Sequence, residues 1–223
     1  MQITRGNFLL LCAGLLSSFA AQLAAQEVAA THELFPTAIG TRWVFQSGVI
    51  EMIEQVTAHE RVGNEVCAKV ETVLNGKVVA HEHYAVRADG VYRVAVANQL
   101  VEPPFRFMKF PLAVNDRWSV SSVVLQQPIA GTFQTTQARV KVPAGEFDTV
   151  TTLGSGFKLV IAAADDSTPP QEQPLAFTYS FARGIGKVQQ TTTIGTGDTA
   201  RKIELKLKEF APARQAAVAP ATR

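Results

Sequence analysis

The residues of this chain best placed to do chemistry are His81-Glu82-His83. On a strand, side chains two positions apart point to the same face, so both imidazoles could reach one ion. Zinc sites want three or four converging ligands. His59, Glu60 or a residue of an apposed strand would have to complete this one. We therefore read His81 and His83 as part of a solvated sheet face, with a metal site as the alternative. Cys67, in the middle of Glu65-Val66-Cys67-Ala68-Lys69-Val70, reads as a small buried hydrophobe with an inert thiol. Nucleophilic catalysis finds no Gly-x-Ser-x-Gly elbow. Leu153-Gly154-Ser155-Gly156-Phe157 has the wrong spacing and reads as a hairpin tip. Glu51, Glu54, Asp148, Asp165 and Asp166 form no paired-carboxylate motif. Gly184-Ile185-Gly186 does not stand between a strand and a helix, so it reads as a turn and not as a phosphate loop. No cofactor is expected.

A second group could bind rather than react. Residues 97–111 hold Phe105, Phe107, Met108 and Phe110 among Pro103, Pro104 and Pro111, a large apolar load for a connecting segment. Buried, these side chains plug the seam between two halves of one core. Exposed, they form a hydrophobic lip beside a ligand cavity, since apolar patches at a surface usually mark binding.

The elements that must position these residues are strands. Phe35-Pro36-Thr37-Ala38-Ile39-Gly40-Thr41-Arg42-Trp43 is answered by Phe110-Pro111-Leu112-Ala113-Val114-Asn115-Asp116-Arg117-Trp118, and the two copies hold the only tryptophans. Phe-Pro favours an extended lead-in, the polar pair turns the chain, and Trp opens the strand that follows. After the first anchor come Trp43 to Gln46, Ile50 to Val56, a turn over His59 to Asn64, then two strands flanking Asn75-Gly76, the strongest short hairpin signal. Ala88-Asp89-Gly90 turns into Val91 to Val96. After the second anchor, Val120 to Leu125 and Thr132 to Val142 read as strands. Glu146 to Leu153 is expected to pair with Phe157 to Ala164. Leu175 to Phe181, Lys187 to Ile194 and Arg201 to Phe210 complete the set, and Asp165 to Pro174 reads as a surface loop. Gln26 to Leu34 could form one helical turn. The expectation is all-β: an antiparallel meander of about ten strands forming a barrel, half-barrel or sandwich. A single β domain over residues 33–210 would hold two related halves, 33–98 and 108–210, with a disordered tail at 211–223.

Residues 1–20 read as a signal peptide, with Arg5 in a charged region, Phe8 to Leu16 apolar and Ser18-Phe19-Ala20 as a cleavage site; cleavage after Ala25 is the alternative. The apolar run is too short for a membrane span. Cleavage removes Cys12 and leaves Cys67 alone, so no internal disulfide can form. It also removes Arg5 and lowers the formal net charge from +2 to +1. Charges are interspersed with no basic block, which excludes a nucleic-acid partner.

The run Arg139-Val140-Lys141-Val142-Pro143-Ala144-Gly145-Glu146-Phe147 resembles the V-x-V-P-A-G-x-F signature of an uncharacterised family of exported bacterial proteins, often called TapB-like. Phe110 to Trp118 upstream, Tyr179 and Gly184 to Val188 downstream, and the closing strand Ile203 to Phe210 follow the same family order. The resemblance implies a periplasmic or secreted β-rich protein of unknown activity and carries over no catalytic residue. Together these readings point to a non-catalytic envelope protein that binds a lipid or other apolar or amphipathic molecule through Phe105, Phe107, Met108 and Phe110. A docking module for another envelope protein is the second reading, and a metal-dependent enzyme on His81 and His83 the third.

Overall fold

A computed structural model describes residues 27–161 and 171–214. The expected signal peptide, most of the Asp165 to Pro174 loop and most of the tail lie outside the described residues. Alternating and β-branched runs form strands throughout. In chain order they are β1 (Arg42–Ser47), β2 (Ile50–Val62), β3 (Glu65–Leu74), β4 (Lys77–Arg87), β5 (Gly90–Val96), β6 (Gln99–Lys109), β7 (Arg117–Val124), β8 (Gln127–Val142), β9 (Gly145–Ile161), β10 (Gln171–Ala182), β11 (Gly186–Ile194) and β12 (Arg201–Ala211). Each pairs antiparallel with its neighbour in sequence, and β1 also pairs with β12, so twelve strands close into a barrel.

Four expectations are corrected. The expected connection at 97–111 is a strand, β6. Its two prolines cannot donate to a ladder, and the ladder breaks around them. Pairing with β5 jumps from Arg93↔Phe105 to Ala95↔Leu100, and pairing with β7 is reduced to Glu102↔Val123. Gly154 to Gly156 is not a hairpin tip but lies within β9, where Ser155 and Gly156 together face Ala176 in a bulge. The turn after β2 is confined to Gly63-Asn64, since His59 to Val62 remain in the strand. Residues 27–34 form no helical turn; His32 and Phe35 make an isolated β-bridge instead. The sequence also hides one hairpin: Leu125 and Gln126 turn with φ of 49° and 65°, a left-handed pair that is rare outside Gly, Asn and Asp.

The two anchors fold alike. Gly40 N–H donates to the Val56 carbonyl at 2.8 Å, and Asn115 N–H donates to Thr135 at 2.8 Å; Val56 and Thr135 N–H return bonds to Thr41 and Asp116 at 2.9 Å each. Gly40 (φ 94°) and Asn115 (φ 67°) occupy the left-handed region, which explains why each copy has Gly or Asn there. Both indoles are buried and donate to a backbone carbonyl: Trp43 to Ile185 at 2.6 Å, Trp118 to Arg106 at 2.9 Å.

The barrel interior is filled unequally. Under β6 to β10, Phe105, Trp118, Phe133, Phe157 and Phe177 pack ring on ring, with centroids 5.3–6.0 Å apart. Gly131 and Gly154 make room for them: a Cβ on either would come within 2.7 Å of Phe157 or 2.6 Å of Phe133. Residues before β1 close one end. Ala29 and Leu34 are buried, Phe35 packs on Tyr84 and Phe107, and Gly184 N–H donates to Glu33 at 2.7 Å.

Candidate ligand cavity

What the aromatic packing leaves open is a cavity of about 230 Å³ beneath β1 to β6 and β10 to β12. Inward alternation builds its apolar wall from Phe35, Trp43, Met52, Phe107, Phe181 and Leu205. The same alternation turns charged residues inward. Glu54 follows Met52 on the inner face of β2, Glu82 lies between Ala80 and Tyr84 on β4, Arg93 projects from β5 and Lys187 from β11.

These charges are paired, as low-dielectric burial demands. Lys187 Nζ lies 2.7 Å from Glu54 Oε1, donates to Gln190 Oε1 at 3.1 Å and sits 5.0 Å above the Phe45 ring. Arg93 Nε lies 2.9 Å from Glu82 Oε1, and the Tyr84 hydroxyl donates to the other Glu82 oxygen. Burial opposes the charge of Arg93, but Glu82 and the tyrosines beside it hold its pKa well above the usual arginine value. Burial pushes the Tyr84 phenol well up, reinforced by Glu82, and pushes Tyr179 up against the opposing pull of Arg93. Arg93 keeps 22% of its side-chain surface accessible, and as a cavity-lining residue it turns that surface inward. The arrangement can hold a small amphipathic molecule, with rings for its apolar part and fixed dipoles and charges for its polar part.

Of the apolar residues singled out from the sequence, Phe107 lines the cavity. Phe105 and Met108 are buried in the same core, and Phe110 is half-buried with its ring 4.1 Å from that of His32. The bulge opposite Val91 and Tyr92 is what brings Phe107 and Met108 both into the core.

His81 and His83 share a face, as their spacing requires, with ring centroids 6.1 Å apart. That face is the outer one, because Ala80, Glu82 and Tyr84 line the interior. The solvated-face reading fails for His83, which is 3% exposed. Its Nε2 pairs with Glu60 Oε2 at 2.8 Å, and this bond is the main cause of a lowered Glu60 pKa. His81 Nε2 bonds Asn98 at 2.9 Å, and His59 Nε2 bonds the Thr37 carbonyl at 2.7 Å. Among the described residues no three His, Cys, Asp or Glu side chains converge as metal ligands.

Sequence reasoning gave no site role to Arg93, Lys187, Tyr84, Tyr179 or Gln190, and treated Glu82 only as the spacer of a histidine pair. A signal was present. Arg93 stands two positions from Val91, and Glu54 stands between Met52 and Val56, so each is a charge in an apolar register. Such a residue must find a partner inside the fold.

No family model matches this chain, and no curated protein matches it, so the TapB-like resemblance stands on its motifs alone. Among solved structures, this chain is similar to a candidate lipoprotein from Parabacteroides distasonis. That likeness spans 82% of this chain and 100% of the other, at 15% identity and a TM-score of 0.44. It is too distant to carry function.

Proposed function

We propose that this is a non-catalytic protein of the bacterial cell envelope, periplasmic or secreted, whose barrel binds a small apolar or amphipathic molecule. The observation that carries this reading is the cavity of about 230 Å³, mostly apolar yet containing two ion pairs. A sheet needing only stability would fill that space with side chains, because interiors pack to crystal density and retained buried charges cost stability against apolar replacements. Phe107 supplies part of the wall, and Phe105 and Met108 are buried in the same core. At the barrel end away from the residues before β1, Val49, Ile50, Val78, Val79, Leu100 and Leu125 are exposed at or near hairpin tips, an apolar surround suited to the approach of such a ligand. The export signal expected at residues 1–20 supports the compartment.

The test is native mass spectrometry of the protein purified from the envelope fraction without detergent. A discrete organic mass, released on unfolding, is the expected result. A bare polypeptide mass, together with no change in tryptophan emission on adding apolar probes, would overturn the reading and favour docking on another envelope protein.

A further inference from the structure

Resting on the reading of the interior as a binding cavity, we infer that its ligand is a small monocarboxylate amphiphile whose anionic end is received by Arg93, Tyr179 and Gln190. The argument is a donor and acceptor inventory of the wall. Both carboxylates already face cations: Glu54 holds Lys187 at 2.7 Å, and Glu82 faces Arg93 at 2.9 Å while accepting the Tyr84 hydroxyl. Gln190 Oε1 is taken by Lys187. The capacity left over is on the donor side. Arg93 carries five N–H groups, and the Glu82 oxygen 2.9 Å from its Nε can satisfy only part of that set. The Tyr179 hydroxyl lies beside Arg93, which can donate to its oxygen, while its own O–H has no acceptor among the described residues, and the Gln190 amide nitrogen is unspent after its oxygen is used.

A ligand completes such a wall by bringing acceptors. A carboxylate brings two oxygens in one plane, the shape that a guanidinium fork recognises. A cationic ligand would have to displace Lys187 or Arg93 from its carboxylate, and an alcohol would satisfy only part of the donor set. The four fixed charges, Glu54, Glu82, Arg93 and Lys187, sum to zero, so the wall carries no net negative charge to repel an added anion, and the donors around it offset the cost of burying one. Size limits the apolar part. At about 30 Å³ per water-sized group, the cavity holds roughly eight such groups. With the two carboxylate oxygens among them, that is the scale of a roughly six- to eight-carbon amphiphile.

The experiment compares sodium octanoate, 1-octanol and octylammonium chloride on the detergent-free protein by calorimetry, with tryptophan emission as a second readout, since Trp43 lines the cavity. Octanoate is expected to bind at least about tenfold more tightly than either analogue, the usual worth of a charge-assisted hydrogen bond. Tyr179→Phe keeps the ring packing and is expected to weaken octanoate by about five- to tenfold while leaving octanol unchanged. Arg93→Gln is expected to abolish the preference for octanoate. If that variant does not fold, Tyr179→Phe decides alone. Octanol or octylammonium binding as tightly as octanoate would overturn the carboxylate assignment and leave the cavity reading standing. Failure of all three to bind would overturn both.

Discussion

At the scale of single residues, type and environment part company most clearly on β3 and β4. Cys67, Ala85, Tyr92 and Val94 form a small apolar cluster of their own, apart from the main core, and His83 is buried on the same strand as Ala85. Alternation correctly placed the two histidines on one face. It could not show that Glu60 and Lys69 of neighbouring strands would cover that face, with Lys69 Nζ donating to Glu60 at 3.1 Å. Cys67 follows its expected character. It is fully buried, and burial pushes its thiol up to about 11, so thiolate is scarce at neutral pH. The native protein at pH 8 is therefore expected to resist a disulfide-exchange reagent over an hour, whereas the same protein in denaturant reacts at once. Labelling of the native thiol at the unfolded rate would place Cys67 at the surface.

Among the elements, β6 is the one the residues disguise. Pro103 and Pro104 argue against a strand, and the structure resolves the conflict by keeping the strand and giving up its ladder around them. The β6–β7 junction is held by the Glu102↔Val123 pair, the Trp118 indole bonding Arg106 and the Lys109–Asp116 ion pair at 2.8 Å. The β8–β9 junction, by contrast, keeps an unbroken register from Thr132↔Ser155 to Val142↔Gly145. Local opening follows the weakest cooperative unit. Amides of β6 and β7 are accordingly expected to exchange with deuterium well before those of β8 and β9. Equal protection across the two junctions would mean that side chains alone close this seam as firmly as a backbone ladder.

For the whole molecule, the repeated anchor and the closure of the barrel are the organising facts. Trp43 and Trp118 head β1 and β7, lie six strands apart, and belong to the same buried cluster. Trp43→Ala and Trp118→Ala are each expected to lower stability by about 3–5 kcal/mol, as large-to-small core changes do. Each loss should appear in denaturant titration as a shift of one common transition. A near-neutral result for either would make that anchor a surface feature. The residues by themselves determined strand periodicity, most turns, the buried thiol and the duplicated anchor, because these depend on backbone preference and on neighbours two or three positions away. Tertiary structure alone decided that the sheet closes and that a proline-bearing connection becomes a strand. It alone decided that Glu82, and not the histidines beside it, faces the cavity with Arg93, Tyr179 and Lys187. Those outcomes depend on which distant strands lie side by side, a matter of summed ladder and packing energies over the whole barrel that no local spacing records.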